Sequence, residues 1–179
     1  MHRRLALTTL LACTAAIAQT SGQSVKSVRL YVFDCGRLKS GNPSVLLDHG
    51  VTTTDMSVSA YLIVHPRGTL LWDAGVIPDA LVKPEGTTEA RATVHTTLKG
   101  QLAKIGYEPS DIKYLALSHN HYDHSANANA FASATWLVQR PERAVMFPAT
   151  PPATPINGAA RWSELKNSKT KILDRKSVV

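Results

Sequence analysis

The sequence predicts an α/β fold, and the order of its apolar segments is the main observation. Short apolar runs alternate with a longer segment whose apolar residues recur every three or four positions. The resulting order is strand, strand, helix, strand, histidine-rich loop, helix, strand, helix, which is typical of a sheet flanked by helices. The chain has 179 residues and 44% of them are hydrophobic, as expected for one globular domain.

Three short segments predict the first strands. Residues 25–33 (VKSVRLYVF) alternate between apolar and polar before becoming mostly apolar, as a strand entering a core does. Residues 60–64 (AYLIV) and 69–72 (TLLW) flank the turn-forming residues HPRG, so together they predict a β-hairpin. The chain must turn again at residues 73–75 (DAG), immediately after the second of these strands.

The segment from residue 88 to residue 105 predicts an amphipathic helix. Val94, Leu98, Leu102 and Ile105 are spaced by three or four residues, which places them on one helical face. Gly106 follows the last of them, and glycine commonly ends a helix.

The remaining elements follow in quick succession. Residues 112–117 (IKYLAL) predict a buried strand, residues 125–131 a short helix, and residues 135–138 a further strand. Pro141 suits the first turn of a helix that continues to Phe147. The proline-rich run PATPPATP, residues 148–155, predicts a surface loop. A ligand site is expected at the carboxyl ends of the strands, where the loops gather.

The N-terminal segment has the three regions of a secretory signal peptide. MHRR is the positive region, LALTTLLACTAAIA is the apolar region, and AIA at residues 16–18 is a cleavage site. We therefore expect residues 1–18 to be removed before Gln19, and the protein to be periplasmic or secreted. A buried N-terminal helix and lipid attachment at Cys13 are the alternatives. The apolar run falls short of the roughly 18–20 residues of a membrane span, so no stable membrane insertion is expected after cleavage.

Charge and cysteine content exclude other classes. The net charge of +7 includes Arg3 and Arg4, which lie in the predicted signal peptide, and the other basic residues are scattered. Without a basic run, a nucleic-acid partner is not expected. Cys35 is the single cysteine beyond the predicted signal peptide, so an intrachain disulfide is not expected and a core or a metal must stabilise the fold.

The stretch SHNHYDHSAN, residues 118–127, predicts a metal site. Its His119, His121, Asp123 and His124 fall within six positions directly after a predicted strand. Four ligands so close in sequence suit two neighbouring ions better than one, with His119 and His121 on one ion and Asp123 and His124 on the other. Imidazole and carboxylate ligands favour Zn²⁺, and iron or manganese also fit. The alternative is a polar loop or a histidine-rich tract that binds metal loosely.

These residues carry a family resemblance. The H-x-H-x-D-H motif after an apolar strand, together with L-x-D-x-G at residues 71–75, resembles the metallo-β-lactamase superfamily over about residues 28–147. The segments YVFDCG (31–36), GYEP (106–109) and LVQR (137–140), with Glu142, resemble its N-acyl homoserine lactonase branch. The resemblance implies a four-layer αββα sandwich, of which this chain would contain the N-terminal half.

The resemblance also implies roles and a reaction. His119 and His121 would bind the first metal, and Asp123 and His124 the second, with Asp123 also orienting the nucleophile. Asp73 would orient one ligand from behind, although a turn cap is the equal alternative. The implied function is opening of a lactone, such as an N-acyl homoserine lactone, or of another small ester by a metal-bridged hydroxide. Hydrolysis of a β-lactam or a thioester is the alternative on the same scaffold.

The C-terminal end departs from the family pattern. Histidine does not occur after His124, and the later acidic residues, Glu142, Glu164 and Asp174, lie in contexts unlike the family's bridging position. The last six residues, DRKSVV at 174–179, match the translation of a common sequencing adapter. We therefore expect residues 19–173 to be an incomplete domain followed by a non-native tail. A noncatalytic metal-binding fragment is the corresponding alternative function, and the chain itself is expected to bind metal without turnover.

Overall fold

A single mixed sheet organises the protein. The computed structural model describes residues 26–150 and 152–174, so the predicted signal peptide, Cys13 and residues 175–179 of the predicted tail lie outside the described residues. The sheet has eight strands in the order β4-β5-β1-β2-β3-β6-β7-β8. The strands are β1 Arg29–Lys39, β2 Asp55–His65, β3 Gly68–Trp72, β4 Thr87–Glu89, β5 Ala92–Val94, β6 Tyr114–Ala116, β7 Thr135–Gln139 and β8 Thr170–Leu173.

Within the described ranges, four α-helices accompany the sheet: α1 Pro43–Asp48, α2 Leu98–Lys104, α3 Tyr122–Ser125 and α4 Arg140–Met146. Short 3₁₀ turns lie at Asp79–Leu81, Pro109–Asp111, Ala128–Phe131, Ala159–Arg161 and Ser163–Asn167. The α/β fold class is therefore confirmed. Across the described residues, no helix combines the length and the apolar character needed to cross a membrane.

The sheet is antiparallel in its first part and parallel in its second. Strands β1, β2 and β3 pair as neighbouring antiparallel strands, and the β2–β3 hairpin confirms the predicted turn between residues 65 and 68. Strands β3, β6, β7 and β8 are parallel. The carboxyl ends of β3 and β6 consequently lie side by side, and this places Asp73 beside the segment that begins at Ser118.

One face of the sheet carries the core. Leu62, Leu71 and Leu115, from the central strands, are fully buried together with Leu102 of α2 and Met146 of α4. The opposite face is open in the described part of the chain, where Val32 and Trp72 are 62% and 41% exposed. Because side chains alternate along a strand, each strand presents a buried row to the helices and a second row to this open face.

The predicted helix over residues 88–105 is wrong in its first half. The chain forms the β4–β5 hairpin there, and only Leu98–Lys104 is helical. Thr97 starts α2 because its hydroxyl accepts a hydrogen bond of 3.0 Å from the Gly100 N–H, as an N-cap residue does. Val94 and Leu98 are both buried. Their spacing of four residues is therefore compatible with a continuous helix and also with the end of a strand followed by a helix.

Smaller differences concern element boundaries. Strand β1 begins at Arg29 and continues to Lys39, later than the predicted span of residues 25–33. Helix α3 begins within the histidine motif, and residues 128–131 form a 3₁₀ turn where a continuous helix was predicted. The predictions of β6, β7 and α4 are confirmed, and Gly106, at φ +80°, follows α2 as expected. Described residues 148–150 and 152–155 contain neither helix nor strand.

Candidate metal centre

The predicted site lies where β3 and β6 end. Asp73 follows β3, and its N–H donates to the carbonyl of Ala116 at 2.9 Å, which extends the pairing of β3 with β6 by one residue. Asp73 then adopts a left-handed conformation with φ of 63°, which turns the chain away from the sheet. Aspartate tolerates this conformation better than most residues. The side chain is only 4% exposed, so its carboxylate requires hydrogen-bonding partners inside the protein.

Ser118 and His124 supply those partners. The Asp73 carboxylate accepts hydrogen bonds from the Ser118 N–H at 2.7 Å and from the Ser118 hydroxyl at 3.0 Å. His124 Nδ1 lies 2.8 Å from the Asp73 Oδ2 and 2.9 Å from the Ser118 Oγ. Asp73 therefore links the strand exit to the helix of the motif through side chains 51 residues apart in sequence.

Main-chain hydrogen bonds fix the same arrangement. The Ala74 N–H donates to the His124 carbonyl at 2.7 Å, and the Ala126 N–H donates to the Gly75 carbonyl at 3.1 Å. Asn127, which is buried, donates its side-chain N–H to the Ala74 carbonyl at 2.9 Å. The turn after β3 and the helix α3 are thus joined along several residues, so the side chains that they carry have defined relative positions.

The four predicted ligands lie together around α3. The ring centroid of His119 is 4.5 Å from that of His121 and 4.2 Å from that of His124. Asp123 lies in the first turn of α3, and its Oδ2 is 3.3 Å from His124 Nε2. His121 occupies the N-cap position of the same helix. A short helix that begins inside the motif is what brings His124 back toward His119.

The surroundings shift the pKa values of His119 and His124 in opposite directions. The hydrogen bond that His124 donates to the Asp73 carboxylate raises the pKa of His124 above its ordinary value, although partial burial opposes this effect. Burial lowers the pKa of His119, and the neighbouring His124 and His121 add to the decrease. This decrease favours the neutral form of His119, which is the form that binds a metal.

The donor chemistry of the cluster fits a divalent metal. In the described ranges, no three His, Cys, Asp or Glu side chains converge closely enough to form a coordination shell as they stand. Nevertheless, the cluster combines three imidazoles with a carboxylate, and Asp73 engages Nδ1 of His124 so that Nε2 is the nitrogen available to a metal. A carboxylate behind a histidine is the usual way in which proteins orient such a ligand. The metal roles of His119, His121, Asp123 and His124 stay predictions.

Two residues that sequence reasoning did not assign contribute to the site. Ser118 shares the Asp73 carboxylate with His124, and its polar side chain directly after an apolar strand was the available signal. Arg161 donates from Nη1 to the carbonyls of Val76 at 3.1 Å and Tyr122 at 3.4 Å, and its guanidinium lies 5.6 Å from the Tyr122 ring centre. The position of Arg161, 85 residues after Val76, gave no local signal.

Comparison with known proteins places this arrangement in a family. A family model described as the metallo-beta-lactamase superfamily matches residues 53–162. Among similar proteins, an N-acyl homoserine lactonase AttM of Azorhizobium caulinodans is 29% identical over 128 residues, covering 67% of this chain and 49% of that protein. An N-acyl homoserine lactonase of a Bacillus species is 30% identical over 131 residues, covering 64% and 49%. The chain thus spans about half the length of these relatives.

Solved structures show the same likeness. An N-acyl homoserine lactone hydrolase, with N-hexanoyl-L-homoserine bound at its catalytic metal centre, superposes with a TM-score of 0.58 at 26% identity. The match covers 83% of this chain and 60% of that one. AidC, a dizinc quorum-quenching lactonase, shares the fold with a TM-score of 0.58 at 21% identity, over 85% and 60% of the two chains. The chain belongs to the metallo-beta-lactamase superfamily.

Proposed function

We propose that this chain contributes metal-binding residues to the active site of a metal-dependent hydrolase that opens lactone rings. The observation that carries the proposal is the buried Asp73 carboxylate, which holds Ser118 and His124 at the carboxyl ends of two parallel strands. A buried carboxylate aimed at a histidine within a cluster of further histidines is the arrangement that a metal ligand set requires. The names of the relatives, which are lactonases, support a lactone as the substrate.

The residues divide between two ions in this proposal. His119 and His121 bind one ion, Asp123 and His124 bind the other, and Asp73 keeps the His124 ring in place through Nδ1. Zinc suits these nitrogen and oxygen donors, and iron or manganese are the alternatives. Bound metal would supply Lewis acidity toward the lactone carbonyl and would lower the pKa of water.

Asp123 has a second role in the proposed reaction. Its Oδ2 lies on the side of His124 that faces away from Asp73, where it can accept a hydrogen bond from the attacking water and so orient it. The water oxygen forms a bond to the carbonyl carbon, the ring C–O bond breaks, and the departing oxygen takes a proton. The product is a hydroxy acid, and the reaction needs neither an oxidant nor a reductant.

The Asp123→Ala variant tests this assignment. We expect it to bind about one equivalent less zinc than the native chain, because the second ion then keeps only His124 of its two proposed ligands in this chain. Zinc content after dialysis is the primary measurement, and it does not depend on turnover. Asp48→Ala, an exposed carboxylate on α1, is the matched control. Equal zinc content in the native and Asp123→Ala chains would refute the role of Asp123.

The substrate is tested separately with the native chain. N-hexanoyl homoserine lactone, a β-lactam and a glutathione thioester are compared under the same zinc loading, and if the chain hydrolyses any of them we expect it to be the lactone. Faster hydrolysis of either other substrate would replace the lactone proposal. Zinc binding without turnover of all three would support the noncatalytic alternative for this chain.

We also propose that the protein is exported. The signal-like residues 1–18 are the support for this proposal. Expression in a bacterium followed by N-terminal sequencing of the extracytoplasmic fraction tests it, and the expected first residue is Gln19. Retention of the uncleaved chain in the cytoplasm would contradict export.

A further inference from the structure

Among the residues that the structure describes, only part of the outer edge of β1 is covered by another strand. Strand β5 pairs with β1 at Arg37 and Leu38, beyond an irregularity in the strand between Asp34 and Arg37. Gly36 lies in this irregularity with φ of +112°, and a Cβ atom there would collide with the Thr93 carbonyl oxygen. Strand β5 therefore covers the later part of β1, and among the described residues the edge before Asp34 is open.

The side chain of Gln101 marks where the open edge ends. Its Oε1 accepts a hydrogen bond from the Asp34 N–H at 3.1 Å, and its Nε2 donates to the Asp34 carbonyl at 2.8 Å. Both main-chain groups of Asp34 therefore face away from β2. In an antiparallel pair such residues alternate along the strand, so the N–H and carbonyl groups of Leu30 and Val32 face the same outer edge. Within the described residues, no main-chain or side-chain group forms a hydrogen bond with these groups of Leu30 and Val32.

A cavity of about 770 Å³ lies beside this edge. Tyr31, Val32 and Phe33 of β1 line it, together with Ile105 after α2. The open main-chain groups of β1 thus border a space with apolar surface, which suits an extended chain and one of its side chains.

The charged lining of the cavity is unbalanced. The lining contains two carboxylates, those of Asp34 and Asp55, and four cations. One oxygen of Asp34 already accepts a hydrogen bond from the Gly36 N–H at 2.9 Å. Among the described residues none of the four cations forms an ion pair. Cations gathered without an anionic partner favour a negatively charged ligand. The cations are Arg37, Lys39, Arg91 and Lys104.

We propose that this edge and cavity bind the extended C-terminal segment of a peptide. The peptide main chain pairs with Leu30 and Val32, and its carboxylate lies among the cations. A small anion would satisfy the cations but not the free N–H and carbonyl groups, whereas an extended peptide satisfies both. The predicted metal ligands do not line this cavity. Arg91 of the lining donates to the Tyr122 hydroxyl at 3.4 Å, so the site adjoins the proposed hydrolase centre without including its ligands.

Titration of the full chain with a defined peptide tests the proposal. The probe is an acetylated hexapeptide of alternating valine and threonine that ends in aspartate with a free carboxylate. We expect saturable binding by calorimetry, together with slower hydrogen exchange at the Val32 amide. Absence of binding at millimolar peptide would overturn the proposal.

Two modified peptides separate the contributions. Methylation of alternate peptide nitrogens removes the strand-pairing donors and should abolish binding. Replacement of the terminal aspartate by asparagine amide removes the negative charges and should weaken binding about tenfold, as loss of a charge-assisted hydrogen bond does. Undiminished binding of either modified peptide would contradict the proposal.

Two lysines on the same helix provide the matched protein variants. Lys104→Gln, within the cavity lining, should weaken peptide binding about tenfold, whereas Lys99→Gln, outside the lining, should leave it unchanged. Circular dichroism checks that both variants keep the native fold. Equal affinities of the two folded variants would overturn the assignment of Lys104. Self-association of the chain that already protects Val32 without peptide would instead identify a second copy as the occupant and overturn the peptide proposal.

Discussion

The two polar regions of the molecule differ in how their charged groups are paired. At the end of β3, Asp73, Ser118 and His124 hydrogen-bond to one another, and their positions are fixed by the protein alone. Along β1, Lys104 and the other cavity cations form no ion pair within the described residues. In the two proposals made above, the first region orients metal ligands and the second offers its charge to a binding partner.

Among the variants considered, replacement of Asp73 should have the largest effect on the region that it forms with Ser118 and His124. Asp73→Ala leaves the Ser118 N–H and His124 Nδ1 without their buried acceptor. We expect zinc affinity to fall about 10- to 100-fold, as loss of an orienting carboxylate does. Competition with a chromogenic chelator measures the affinity.

Asp73→Asn separates orientation from backbone strain. Asparagine tolerates the φ of 63° at this position and still accepts a hydrogen bond from Ser118, but one of its two acceptor atoms is replaced by a donor. It should therefore show most of the loss in zinc affinity while the fold remains stable to urea. Native-like zinc affinity in this variant would show that Asp73 is only a turn residue.

Removal of the Arg161 side chain should destabilise the region that contains Asp73, Ser118 and His124. Arg161→Ala loses charge-assisted hydrogen bonds to the Val76 and Tyr122 carbonyls, and we expect the free energy of unfolding to fall by about 1.5–3 kcal/mol. Urea titration measures the change, with the exposed Lys166→Ala on a neighbouring turn as the control. Similar unfolding midpoints for the two variants would mean that Arg161 does not stabilise the site.

Cys35 adds a third kind of ionisable group to this comparison, a buried thiol whose neutral form the fold favours. Burial raises the pKa of its thiol from about 9.0 to about 12, and the charges of Asp79 and Asp34 add to this effect. Above pH 9 the unfolded chain releases the proton while the folded chain retains it, so folding stability decreases with rising pH by up to about 1.4 kcal/mol per unit. Below pH 9 both states keep the proton and this contribution is constant.

The Cys35→Ala variant isolates that contribution. Urea unfolding of the native and variant chains between pH 8 and pH 10.5 should give a stability difference that shrinks as the pH rises above 9. A difference that is independent of pH would show that the thiol ionises equally in the folded and unfolded chains.

Gln101→Ala should have the smallest effect, at the boundary of the unpaired region. The variant loses two neutral hydrogen bonds to the Asp34 main chain, which corresponds to about 1 kcal/mol of unfolding free energy. Hydrogen exchange at the Asp34 amide should become faster, while zinc affinity stays unchanged. Protection of that amide equal to the native level would mean that Gln101 does not cover the edge.

The sequence predicted the parts of the site that are local along the chain. The motif from His119 to His124 and the turn at Asp73 each follow an apolar strand, so their placement at strand ends could be inferred from periodicity alone. The contact between Asp73 and His124 depends on β3 and β6 being parallel neighbours. That pairing is a property of the whole sheet, and the family resemblance rather than any local pattern suggested it.

Other features had no usable signal in the sequence. The β4–β5 hairpin was predicted as helix because Val94 and Leu98 have helical spacing, yet the Thr97 cap starts the helix only after the hairpin. The open edge of β1 depends on the close approach of Gly36 to Thr93, two residues far apart along the chain. Long-range backbone packing of this kind is not encoded in the period of apolar residues.

The distribution of tryptophan gives the protein an optical probe of its own site. Trp136 and Trp162 are 0% and 2% exposed, whereas Trp72, directly before Asp73, is 41% exposed. A water-soluble quencher such as iodide therefore reaches Trp72 selectively, and the quenchable part of the emission reports on a single indole. Changes at the end of β3, on zinc addition or on covering of the open sheet face, become readable by fluorescence in the native chain without a label.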